Sequence, residues 1–176
     1  MRSPEVIHQY SDGPDGPKLC AIRPEDVAKG LIASTVRQED MKRAVAVARS
    51  HRRAELVRVA SADVLGLMDV PTVCKALSSV WAAVLNAALT VAIDISERDR
   101  GKPAPARIAV IGMGRLGGGE LGYGSDADVL FVCQPNRDTD ESEAVKWSQT
   151  IAETVRSALG SPSADPPLEV DTGLRP

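Results

Sequence analysis

Aromatic side chains are scarce in this chain of 176 residues: one Phe, two Trp and two Tyr, or 3%. That is too few rings for a platform on which single-stranded nucleic acid stacks. An excess of one charge is missing as well. Lys and Arg number 21 against 24 Asp and Glu, a net charge of −3, so nothing draws the molecule as a whole toward nucleic acid or an anionic membrane; neither is expected as a partner. Cys20, Cys74 and Cys133 are odd in number and far apart, with no CxxC pair. This excludes a disulfide framework and a zinc site of the usual spacing, and suits a reducing cytoplasm. His8 and His51 have no partner at a meaningful spacing, and neither is expected in catalysis. The N-terminus, MRSPEVIHQYSDGPDGPKL, lacks the apolar run of a secretory signal. The longest apolar stretch, around residues 80–95, is interrupted by Asn86, Thr90 and Asp94, and reads as a mostly buried helix rather than a membrane span.

What is present divides into zones. Residues 1–23, rich in Pro, Gly and Asp, predict a poorly ordered lead-in. Residues 24–98 read as helical. Pro24 suits the first position of a helix with Glu25 and Asp26 in its first turn, and a second helix spans about Glu39 to Ala60. That second helix carries Lys42, Arg43, Arg49, Arg52, Arg53 and Arg58, a basic face that is either solvated or turned to a partner or adjoining domain. Asp69 as cap and Pro71 near the first turn then open a long helix to about Arg98. Trp81 and Trp147 lie on helices and are expected in the core. A linker over 99–106 leads to an α/β zone over 107–176: a strand at about 107–112, a glycine turn, a strand at 127–133, a helix at 139–160 and a third strand near 168–172. In the helix at 139–160, Ala144, Val145, Ile151, Ala152, Val155, Ala158 and Leu159 share one face, and Gly160 ends it. A sheet whose third strand lies four residues from Pro176 lacks neighbours on one side. That predicts a piece of a longer polypeptide or a truncated reading frame.

The chemistry concentrates between the first two strands. Gly112-Met-Gly114-Arg-Leu-Gly117 matches the GxGxxG fingerprint of dinucleotide sites. That fingerprint requires a helix of ten or more residues after the third glycine. Here about eleven residues, four of them glycine, separate Gly117 from the next strand, which leaves room for one or two turns. No Gly-Lys-Ser/Thr follows, so it is not a Walker loop. Asp126 and Asp128 open the second strand at alternate positions and so project together, and Asp171 on the third strand offers another acid. Carboxylates so placed hold hard divalent ions, and glycines beside a short helix let backbone N–H groups approach phosphate oxygens. Three acids beside a glycine turn therefore point to divalent metal and a nucleoside triphosphate, with room for two ions about 3.5–4 Å apart. The plainer alternative is that Ser125-Asp126 caps a turn and Asp128 is merely solvated.

The run GMGRLGGGELGYGSDADVLFV resembles the signature of the glutamine synthetase adenylyltransferases, bifunctional adenylyl-transferring and adenylyl-removing enzymes of the DNA polymerase beta-like nucleotidyltransferase superfamily. The matching pieces are Gly114-Arg-Leu-Gly-Gly118, Glu120-Leu121, Ser125-Asp-Ala-Asp128 and Val170-Asp-Thr-Gly-Leu-Arg-Pro176. The resemblance covers roughly residues 35–176. It implies an α+β nucleotidyltransferase fold, with a short mixed sheet and flanking helices preceded by a helical region. It also implies transfer of AMP from ATP to a tyrosine hydroxyl of glutamine synthetase, with magnesium held by Asp126, Asp128 and Asp171. Asp171 would help to activate the hydroxyl. Gly117, Gly118 and Ser125 would contact the nucleotide, and Arg115 and Arg175 would neutralise triphosphate charge. A nitrogen-regulatory signalling protein is a further implied partner. Glu120-Leu-Gly-Tyr123 looks like the attaching, C-terminal half of the family rather than the removing half. Two other readings stay open: a truncated remnant that only binds nucleotide or partner, and a nucleotidyltransferase with another acceptor.

Overall fold

A computed structural model of the chain describes residues 12–13, 16–17, 24–162 and 167–172. Within them Asp12–Gly13 (β1) pairs antiparallel with Gly16–Pro17 (β2), and three helices follow: α1 (Pro24–Thr35), α2 (Met41–Val64) and α3 (Val70–Arg100). Each long helix starts where an aspartate caps it. The Asp40 carboxylate accepts the Arg43 N–H at 2.9 Å and that of Asp69 accepts the Thr72 N–H at 2.9 Å, satisfying amides that have no partner in a first turn. Proline follows Asp69 in the first turn of α3, and Gly101 closes that helix in the left-handed conformation at φ 62°. α2 runs four residues past Ala60, since nothing from Ser61 to Val64 breaks a helix.

By length and apolarity α3 matches a membrane-crossing helix, and 72% of its apolar window is buried inside the molecule. It is the central helix of the core. Trp81 on it is 4% exposed, and the Arg52 guanidinium lies 5.3 Å from the centre of its ring. Half of the basic residues of α2 are taken into the fold, while Lys42, Arg43 and Arg53 stay exposed. Besides Arg52, the buried Arg58 pairs with Glu55 at 2.8 Å and the buried Arg49 donates to the Leu159 carbonyl, while Arg43 pairs with its own cap, Asp40.

After α3 come β3 (Ala106–Gly112), the five-residue α4 (Gly114–Gly118), β4 (Ala127–Pro135), α5 (Glu141–Gly160) and β5 (Val170–Asp171). The segment between α3 and β3 is tied down by Arg100 and Lys102, which reach the Glu143 carboxylate at 2.7 and 3.1 Å. The Lys102 ammonium, joined by Arg100, holds Glu143 below the usual carboxylate range. Strand order is β3–β4–β5. β3 and β4 are antiparallel from Ala106↔Pro135 to Gly112↔Val129, and β4 and β5 are parallel with Ala127↔Val170 and Asp128↔Asp171. The sheet is thus short and mixed, and with the five helices among the described residues it makes an α+β architecture. β5 has two residues where five were expected, because Leu168 turns away to give its N–H to the Leu159 carbonyl at the end of α5, at 2.9 Å. α5 buries Ala144, Trp147, Ile151, Val155 and Leu159, with Ser148 on the same face, and leaves Val145, Ala152 and Ala158 only half-buried. One buried cluster runs from Leu31 and Val45 through Trp81 to Ala127, Val129, Ile151 and Val170. Cys74 and Cys133 are both free thiols.

Candidate functional site

At the end of β3 the chain folds back so tightly that only glycine fits. A Cβ on Gly117 would lie 2.4 Å from the Gly112 carbonyl oxygen, and Gly114 has a φ of +48°. α4 therefore lies against the strand it follows. Its close is equally sharp: Gly119 takes the left-handed conformation at φ 70°, and the Glu120 N–H reaches the Arg115 carbonyl at 2.7 Å. The Gly117 N–H is already given to the Met113 carbonyl at 2.9 Å, so position 117 contributes space rather than a free donor. The backbone at the open, N-terminal side of the turn is Met113 and Gly114. Met113 is bound to the second strand, its N–H donating to the Asp128 carbonyl at 2.8 Å. A Cβ on Gly114 would stand 3.1 Å from Oδ2 of Asp128, so the missing side chain leaves that carboxylate its room.

The loop from Glu120 to Asp126 is anchored to the helices. Leu121 is 1% exposed and donates its N–H to Oγ of Ser78 on α3 at 3.2 Å. The Ser78 hydroxyl in turn donates to the Cys74 carbonyl at 2.8 Å. The Tyr123 hydroxyl donates to Oδ2 of Asp63 on α2 at 2.9 Å. Burial, and next the Asp63 carboxylate, push the Tyr123 phenol up to about 12. Ser125 closes the turn, its Oγ accepting the Gly122 N–H at 3.0 Å.

Then come the acids. Asp126 and Asp128 are exposed while Ala127 and Val129 between and after them are buried, the two-residue alternation of a strand with one dry face. Asp171, also exposed, is the register partner of Asp128 on the neighbouring parallel strand. All three thus stand on the outer face of the sheet at the end where the glycine turn sits. Oxygen donors of this kind suit a hard divalent ion. Their carboxylates are not drawn together as a cage: among the described residues no three His, Cys, Asp or Glu side chains are grouped closely enough to hold a metal. A cavity of about 740 Å³ is lined by Lys75, Ser78 and Asn86 of α3, Val110 of β3, and Leu116 and Gly117 of α4.

Of the residues singled out from sequence, Gly117, Gly118, Arg115, Ser125, Asp126, Asp128 and Asp171 all lie around this one turn and strand end, with Arg115 exposed on α4. Arg175 lies outside the described residues. Ser125 fills the turn-closing role of the plainer reading. Sequence reasoning missed Gly114, Ser78 and the Tyr123–Asp63 pair. Gly114 had a signal, the GxG directly after a strand. The other contacts join positions 43 and 60 residues apart, and no local pattern announces them.

A family model described as glutamate-ammonia ligase adenylyltransferase matches residues 1–176. Among curated relatives, a bifunctional glutamine synthetase adenylyltransferase/adenylyl-removing enzyme of Nocardia farcinica is 61% identical over 176 residues. Proteins of the same name are 64% identical in Mycolicibacterium smegmatis and 62% in Mycobacterium tuberculosis. In each case the match takes in 100% of this chain. The chain spans 18% of the Nocardia and tuberculosis proteins and 17% of the smegmatis one.

Proposed function

We propose, since this chain belongs to the glutamate-ammonia ligase adenylyltransferase family, that it carries a nucleotidyl-transfer centre of the DNA polymerase beta-like type. Its reaction moves AMP from ATP to a tyrosine hydroxyl of glutamine synthetase. The hydroxyl oxygen bonds to the α-phosphorus, the bond to the β-phosphate breaks, and pyrophosphate leaves with the electron pair. The observation that carries this reading is the register of Asp128 with Asp171 on the face that also bears Asp126, beside a turn that only glycine can make. Asp126, Asp128 and Asp171 would hold magnesium, which neutralises the triphosphate and the departing pyrophosphate. Asp171, at the outer strand, accepts the proton of the attacking hydroxyl. Gly114, Gly117 and Gly118 let the triphosphate approach backbone, and Arg115, exposed beside them, adds positive charge. Arg175 and Ser125 complete the nucleotide contacts, Ser125 by fixing the turn that presents Asp126.

The Glu120-Leu-Gly-Tyr123 segment favours the attaching over the removing half of the family, and a nitrogen-signalling protein is the regulator we expect. A reducing cytoplasm suits the free thiols of Cys74 and Cys133.

The test is incorporation of labelled AMP from ATP and magnesium into purified glutamine synthetase. Label on the synthetase that disappears in Asp126→Asn/Asp128→Asn supports both reaction and site. A folded chain that binds ATP yet transfers no label instead supports the remnant reading.

A further inference from the structure

Resting on that reading, we propose that the acceptor protein docks on the outer face of the sheet, along the strip that leads from Arg107 to Asp128. The register pairs Arg107 with Gln134, Ala109 with Val132 and Ile111 with Leu130, and partners in an antiparallel ladder share a face. The hydrogen bond from the Arg107 guanidinium to Oε1 of Gln134 at 2.8 Å confirms the side. The next position along β4 on this face is Asp128, with Asp171 beside it. The strip is thus continuous with the acids, and at about 3.4 Å per residue it is about 20 Å long.

Its middle is apolar and bare. Ile111 is 45% exposed and Val132 41%, whereas Val129, on the opposite face, is 2% exposed. A contiguous exposed apolar patch rimmed by polar groups marks an interaction surface. The ends carry opposite charge: a guanidinium at Arg107, carboxylates at Asp128 and Asp171. A segment whose hydroxyl reaches Asp128 passes over Ile111 and Leu130, one strand period of about 7 Å away. The complementary occupant is an extended stretch of the acceptor protein, with its hydroxyl at the acids, apolar side chains on Ile111 and Val132, and a carboxylate toward Arg107.

Binding of purified glutamine synthetase to the immobilised 176-residue chain, read by interferometry, tests this. Ile111→Ser/Val132→Ser is expected to weaken binding at least about tenfold. Arg107→Glu, an exposed charge reversal that leaves the fold alone, is expected to weaken it severalfold at low salt and less at high salt. Three results overturn the proposal: no binding by the wild type, equal binding by all variants, or sedimentation showing that the wild type self-associates and that the double variant is monomeric, which makes a second copy the occupant. Asp128→Asn separates this from the parent reading. If that variant still transfers AMP while the double variant loses the synthetase, the assignment of the acids fails and the docking surface stands. If it loses transfer while the double variant binds normally, the surface fails and the acids stand.

Discussion

The two faces of the three-stranded sheet are written by alternate residues of the same strands, and they do opposite work. Inward, Ala127, Val129 and Val170 are at most 7% exposed and join the cluster with Ile151 and Val155 of α5. Outward, Asp128 and Asp171 sit in register on the wet side, with Ile111 and Val132 beyond them. A strand carries both sets because its period is two, and the separation is strict for an energetic reason. A carboxylate turned inward would lose its hydration and find no partner among those apolar side chains. Fold and site are thus one residue apart in sequence and on different sides of a wall in space.

Substitution should pull the two faces apart. The largest effect is expected at Asp128→Asn, which keeps shape and loses charge. AMP transfer should fall at least about a hundredfold, about 3 kcal/mol of barrier, with the thermal midpoint unmoved. A comparable fall in both would mean that Asp128 serves the fold. Gly117→Ala comes next. Its methyl group has no room against the Gly112 carbonyl at 2.4 Å, and an overpacked backbone contact costs about 3 kcal/mol, read from urea unfolding. A pair of matched truncations then compares the faces directly. Val129→Ala should cost about 2 kcal/mol and Val132→Ala at most about 0.5 kcal/mol, although only three positions separate them. Equal costs would refute the division drawn here.

That division was legible in the sequence; how it is held in place was not. The alternation of Asp126, Ala127, Asp128 and Val129 states which residues face water, and Asp69 marks a helix start by local chemistry. The pairing of Asp128 with Asp171 depends on register across 43 residues, set by a β5 only two residues long whose approach is fixed by Leu168 bonding to Leu159. The steric need for glycine at position 117 was hidden for a related reason: only coordinates reveal that the Gly112 carbonyl occupies the space a side chain would need. The basic face of α2 is the sharpest case. Composition offers it to solvent or to a partner, and helical spacing supplies Glu55 to Arg58, while Trp81 and the Leu159 carbonyl, which no local pattern announces as neighbours, take Arg52 and Arg49 into the fold.

A further small effect concerns how the outer face is tied to the helices. Tyr123→Phe removes the hydrogen bond to Asp63 and should cost about 1 kcal/mol or less, because the group is 40% exposed. Its pH dependence has a definite sign. Tyr123 titrates near 12 when folded, against about 10 when unfolded, so its contribution is complete below pH 10 and is lost as the pH rises from there toward 12. Urea midpoints of wild type and Tyr123→Phe should therefore differ at pH 8 and converge as the pH approaches 12. A gap that stays constant would mean that the phenol, not its proton, provides the stability. AMP transfer by the same variant carries the comparison to the site. If transfer falls further than stability does, α2 holds Asp126 and Asp128 in position through Tyr123. If it does not, the outer face keeps its geometry from the strands alone.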